Sequence, residues 1–137
     1  MKRYMLCIYF FMCVVLSHAQ TISVNQIKNV MWEEIEPSDP YCKGMIYFSN
    51  TDFFQSTLYL DGIVNGKVNT NNHKYYLSPT KPRKFDKSLV GKNTKGKYLV
   101  VYVRNKELYV FEIESVTKDK LKIKYNSGEV FTYRKSK

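Results

Sequence analysis

Beyond residue 19 the chain carries a single histidine, His73, and a single cysteine, Cys42, so these are the first residues to question for chemistry. A zinc site would need two or more such ligands converging, and with one of each it would have to rest on carboxylates. A Cys42–His73 nucleophile–base dyad is open by residue type. However, His73 lies in Asn71-Asn72-His73-Lys74, which reads as an exposed turn, and a solvated loop explains it better. There is no Gly-x-Ser-x-Gly elbow and no glycine-rich phosphate loop ahead of a helix. Glu33, Glu34 and Glu36 crowd one segment, and Glu112 alternates with Glu114, which could poise a general acid. Surface strand positions among abundant lysines account for both sets, because carboxylates are rarely buried without partners. No catalytic residue, metal ligand or cofactor is therefore assigned, and the expected protein is not an enzyme.

Two other groups of side chains are suited to binding. Lys81, Arg83, Lys84, Lys87, Lys92 and Lys95 face only Asp86 in the stretch leading to Lys97. Such a run is either a solubilising loop or an electrostatic platform for an anionic envelope lipid or an acidic protein. The twelve tyrosines are the second group. A tyrosine combines apolar area with a hydroxyl, which suits a pocket for a small hydrophobic or amphipathic ligand, although the same residues also fill cores and favour strands.

The elements that position these groups are strands. Residues 97–103, 107–113, 120–125 and 129–133 are short, β-branched or aromatic, and separated by polar turns. So little chain leaves no room for helical crossovers, and neighbouring strands must be antiparallel. Lys120, Lys122 and Lys124 alternate with Leu121, Ile123 and Tyr125, giving one wet face and one dry one. A three-residue turn, Asn126-Ser127-Gly128, sets Ile123 opposite Phe131 and Leu121 opposite Tyr133, all facing inward. A two-residue Asn105-Lys106 turn would pair Tyr102 with Tyr109 and Val100 with Phe111 on the inner face. Leu99, Val101, Val103, Leu108 and Val110 then take the other face, so this hairpin can be buried on both sides. Tyr102, Tyr109, Phe111 and Tyr125 are accordingly the candidate ligand-lining residues.

Upstream, Ser23 to Met31 has the spacing for one or two helical turns ahead of Trp32. Residues 44–49 and 53–60 read as a hairpin, Asp61-Gly62 and Asn65-Gly66 as turns, and 74–78 as a further strand. About eight strands result. A sheet that long must curl, split or close, and closure removes its exposed edges, so the expected fold is a small all-β, antiparallel up-and-down meander barrel. A two-sheet β-sandwich is the alternative.

Residues 1–19 read as a signal peptide, with Lys2-Arg3, an apolar run from Tyr4 to Leu16 and Ser17-His18-Ala19 before the cut. That leaves one domain, 20–137, with no transmembrane segment after cleavage, and an exported, soluble, periplasmic or secreted monomer. The formal charge of +10 would permit nucleic acid, but export argues against that partner.

A helical turn leading into Trp32, a meander, and an ending of Ile113-Glu-Ser-Val-Thr117, Leu121-Lys-Ile123 and Phe131-Thr-Tyr-Arg134 together resemble the lipocalin-like (calycin-type) domains of small exported bacterial proteins. The resemblance implies a barrel closed at one end by the helical turn, with Trp32 and Arg134 packed together there, and a small hydrophobic ligand inside. The chain departs from the pattern at Val30, where the family commonly has glycine. The alternative function is a protein-interaction module, an inhibitor or envelope adaptor, that uses a solid barrel and the basic 81–97 loop.

Overall fold

The computed structural model describes residues 21–60, 68–103 and 107–137. The proposed leader, the Asp61-Gly62 and Asn65-Gly66 turns and the Asn105-Lys106 turn lie outside these residues. A four-residue helix, α1 (Val24–Ile27), precedes eight strands: β1 (Met31–Glu34), β2 (Cys42–Phe48), β3 (Asp52–Tyr59), β4 (Val68–Ser78), β5 (Tyr98–Val103), β6 (Glu107–Val116), β7 (Lys120–Lys124) and β8 (Val130–Lys135). Each strand pairs antiparallel with the next, and β1 closes the ring on β8 through Trp32 opposite Lys135 and Glu34 opposite Tyr133. The sheet is a closed up-and-down barrel, as its strand count and short turns imply, and not a sandwich.

Side-chain alternation fills one end of the barrel. Trp32, Phe48, Phe53, Tyr75, Leu77, Leu99, Val101, Ile113, Leu121 and Ile123 form a continuous buried core, which Ile22, Val24 and Ile27 cap from the helix side. Trp32 donates its indole N–H to the carbonyl of Ile27 at 3.1 Å, tying the cap to the β1–β8 seam. A bulge between Ile113 and Ser115 shifts the β6–β7 register, and both Ile113 and Val116 are buried.

The β7–β8 hairpin has the expected register, Leu121 opposite Tyr133 and Ile123 opposite Phe131, with Gly128 at φ 89° in its turn. The β5–β6 hairpin does not. Val103 pairs with Glu107 and Val101 with Tyr109, so the connection is one residue longer than a two-residue turn. A slip of one residue changes the face of every side chain on the strand. Leu99 and Val101 therefore look into the barrel and Tyr102 looks out, reversing the face expected for β5.

Burial of β5 on both sides does hold, for a reason outside the hairpin. The 79–97 connection folds back over the outside of β4 and β5, where Phe85 packs on Tyr76 at 5.1 Å and on Tyr102 at 5.2 Å, and Tyr76 and Val100 are fully buried. Two further readings change. β1 forms where the sequence shows only an acidic run, because Trp32 turns inward between the outward Met31 and Glu33 and the strand finds β2 and β8 on either side. His73 belongs to β4, half-buried and opposite Phe53, not to an exposed turn.

Candidate functional site

The barrel's two ends differ in filling. At the end bearing the β1–β2 and β7–β8 connections the lumen opens into a cup of about 440 Å3, within the usual range of small-molecule sites. Its wall includes Glu34 from β1, Gly44 and Ile46 from β2, Gln55 and Thr57 from β3, Asn71 from β4, and Tyr125, Phe131 and Tyr133 from the last hairpin. The floor is aromatic. Phe111 meets Tyr125 at 4.8 Å, Tyr125 meets Phe131 at 4.8 Å edge-on, and the Tyr125 and Tyr133 hydroxyls share a hydrogen bond of 3.0 Å.

Polar groups are set into this apolar wall at fixed points. The Gly44 N–H donates to Glu34 Oε2 at 2.9 Å, and a Cβ at position 44 would lie 2.7 Å from that oxygen, so glycine is what lets the carboxylate lie against β2. Burial pushes the Tyr133 phenol well above its ordinary range, and the neighbouring Tyr125 and the Glu34 charge add to the effect. Tyr125 is also raised, by burial against the opposing hydrogen bonds of Tyr133 and Gln55. At the closed end burial raises Tyr75, whose hydroxyl donates to the Ser49 carbonyl at 2.6 Å.

These phenols predict an alkaline limit. Unfolded tyrosines ionise near the ordinary value of 10.0, whereas Tyr75 and Tyr133 keep their protons in the folded state. Their contribution is complete below about pH 10 and is lost as the pH rises further, because only the unfolded chain releases those protons. Urea midpoints measured from about pH 8 to pH 11 should fall more shallowly in Tyr133→Phe than in the parent chain. Parallel curves would contradict this.

Of the four candidate lining residues only Tyr125 is among the described residues that line the cup. Tyr109 is an exposed residue that stacks on Phe111 at 6.4 Å, and Phe111 in turn packs on Tyr125 at 4.8 Å. Tyr102 stands on the outer surface against Phe85, with the Lys87 ammonium 5.9 Å from its ring centre. Phe131 and Tyr133 join the wall from the inward face expected of the last hairpin, Glu34 reads in the sequence only as part of a surface acidic run, and Gln55 carries no signal there. Alternation through Trp32 would have pointed to Glu34 had the acidic run been recognised as a strand.

Trp32 and Arg134 sit on neighbouring strands but face opposite ways. Trp32 is buried, whereas Arg134 is exposed and lies 3.8 Å from Glu33 on the outer face. There Glu33 also accepts from Lys43 at 2.9 Å and from Ser136 at 2.9 Å, and these bonds, the Lys43 one first, hold its carboxyl below the usual range. Glu112 is likewise an outer-face residue, 3.5 Å from Lys97, and Glu114 is exposed. Cys42 pairs with Tyr59 on β3 and His73 with Phe53 on the same strand. Six residues of strand separate the two levels, about 20 Å, so the dyad geometry is not formed.

Lys81, Arg83, Lys84, Lys87, Lys92 and Lys95 are all exposed, on a connection anchored at several points. Leu77 N–H donates to Thr94 Oγ1, Val24 N–H to the Thr94 carbonyl, and Gly96 N–H to the Ile22 carbonyl. Asp86 is committed to Ser88, whose backbone and hydroxyl donate to it at 2.9 and 2.6 Å. Lys81 and Lys97 lie over Tyr98 at 5.7 and 5.1 Å.

Comparison with protein-family models, curated proteins and solved structures returns no match. An eight-stranded antiparallel closed barrel is compatible with a lipocalin-like fold, and topology carries the likeness that far.

Proposed function

We propose that this chain is a non-enzymatic, exported, lipocalin-like binding protein that acts as a monomer and holds a small hydrophobic or amphipathic molecule in the cup. The observation that carries this reading is the uneven filling of the barrel. Bulky side chains occupy the closed end down to Trp32 and Leu99, whereas the other end keeps about 440 Å3 walled by aromatic rings and by Gln55, Thr57 and Asn71. An aromatic floor with a few oriented polar groups binds a molecule that has an apolar body and a hydrogen-bonding head.

The neutral fluorescent probe N-phenyl-1-naphthylamine should bind the purified protein and be displaced by a lipid extract. Phe131→Ala should weaken its binding roughly ten-fold, about 1.4 kcal/mol. Absence of displaceable binding would remove the proposal.

A second reading draws support from the basic connection, which carries six exposed cations and is tied to the barrel at Thr94 and Gly96. It is an adaptor or inhibitor that meets an anionic envelope lipid or an acidic protein there. Charge reversal at Lys81, Lys84, Lys87 and Lys92 would abolish capture of such a partner and leave probe binding in the cup intact.

A further inference from the structure

The cup's charge is opposite to that of the chain. Lys and Arg number 22 against 12 Asp and Glu, yet among the described residues that line the cup there is no Lys or Arg, and there are two carboxylates, Glu34 and Glu129. Glu34 matters more because it is half-buried and fixed, with Oε2 held by the Gly44 N–H. Three other strand acids meet a cation: Glu33 meets Lys43, Asp52 meets Lys74 and Glu112 meets Lys97. Among the described residues Glu34 makes no ion pair. Instead its surroundings include the rings of Tyr125 and Tyr133, whose ionisation its charge opposes.

A cavity that sets a fixed carboxylate beside ring faces and edges, without a basic side chain among its described lining residues, matches one head group best. Ring quadrupoles attract a cation at their faces, a carboxylate adds direct attraction, and a partly dry wall strengthens both. An anionic head would be repelled by Glu34, and a neutral head would gain only the hydrogen bonds. We infer that the ligand is an organic cation, an amine or quaternary ammonium on an apolar body, and this rests on the cup being a binding site at all. The apolar body lies on Phe131 and Tyr125, and the head is placed toward Glu34. Gly44 is a positioning residue, because a methyl group there displaces the flexible end of Glu34 without removing its charge.

The test is a calorimetric titration of the purified protein with three compounds that share one tail: octyltrimethylammonium, octanol and octanoate. The ammonium should bind at least ten-fold tighter than octanol, with octanoate weakest. Glu34→Gln should lower the ammonium affinity five-fold or more and leave octanol unchanged. Gly44→Ala, matched to the parent in urea midpoint, should shift the ammonium in the same direction. If octanol or octanoate binds as tightly as the ammonium, or if Glu34→Gln leaves the ammonium affinity unaltered, the cationic head group is overturned while the cup stands as a binding site. If none of the three binds, the cup itself is overturned, and the head group with it.

Discussion

Trp32→Ala should remove roughly 3–5 kcal/mol of folding stability, a large share of what a domain of this size possesses. Three structures meet at this side chain. It is 1% exposed at the point where β1 closes on β8, it joins the buried cluster at the closed end, and its N–H reaches the Ile27 carbonyl at the end of α1. Alanine leaves a cavity and an unsatisfied carbonyl together. Trp32→Phe keeps an aromatic ring, although a smaller one, and loses the donor, and should cost about 1–3 kcal/mol. Urea denaturation checks both values. A cost below about 1 kcal/mol for the alanine variant would mean that the seam does not depend on the indole.

Gly96→Ala should be nearly as damaging although it adds one methyl group. Gly96 is buried at φ 147°, and a Cβ built there would overlap the Ser78 carbonyl and the Pro79 nitrogen, which are backbone atoms that cannot swing aside. The strain falls where the basic connection rejoins the barrel and its N–H reaches the Ile22 carbonyl. Positive-φ strain and overpacking together should cost roughly 2–5 kcal/mol. Gly91→Ala is the control. Its φ is 81°, but the added Cβ meets only the Thr51 methyl at 3.5 Å, so only the backbone term of about 1–2 kcal/mol remains. Equal urea midpoints for the two variants would show that the close approach at Ser78 is not real.

The barrel was legible where side chains alternate cleanly. β7 and β8 could be paired residue by residue because Lys120, Lys122 and Lys124 label the wet face and the Asn126-Ser127-Gly128 turn fixes the register. β5 gives no such label. Apolar residues occupy both its faces, so only the length of its turn decides which face looks inward, and one extra residue in that turn sends Tyr102 outside. The second dry face of β5 has its cover in the 79–97 connection, where Phe85 is the single aromatic side chain among the cations. The cup was half legible for a related reason. Tyr125, Phe131 and Tyr133 follow from the last hairpin. Glu34, by contrast, depends on β1 being a strand, and four residues dominated by Trp and Glu carry little strand signal until β2 and β8 are present to pair with them.

The most direct test of the cup as the binding site is an amide-shift map of 15N-labelled protein titrated with octyltrimethylammonium. The account predicts shifts at Glu34, Gly44, Gln55, Tyr125, Phe131 and Tyr133, with Phe48, Leu77 and Leu99 at the closed end unmoved. No shift, or shifts gathered at Tyr76, Phe85, Tyr98 and Tyr102 on the outer face, would contradict it.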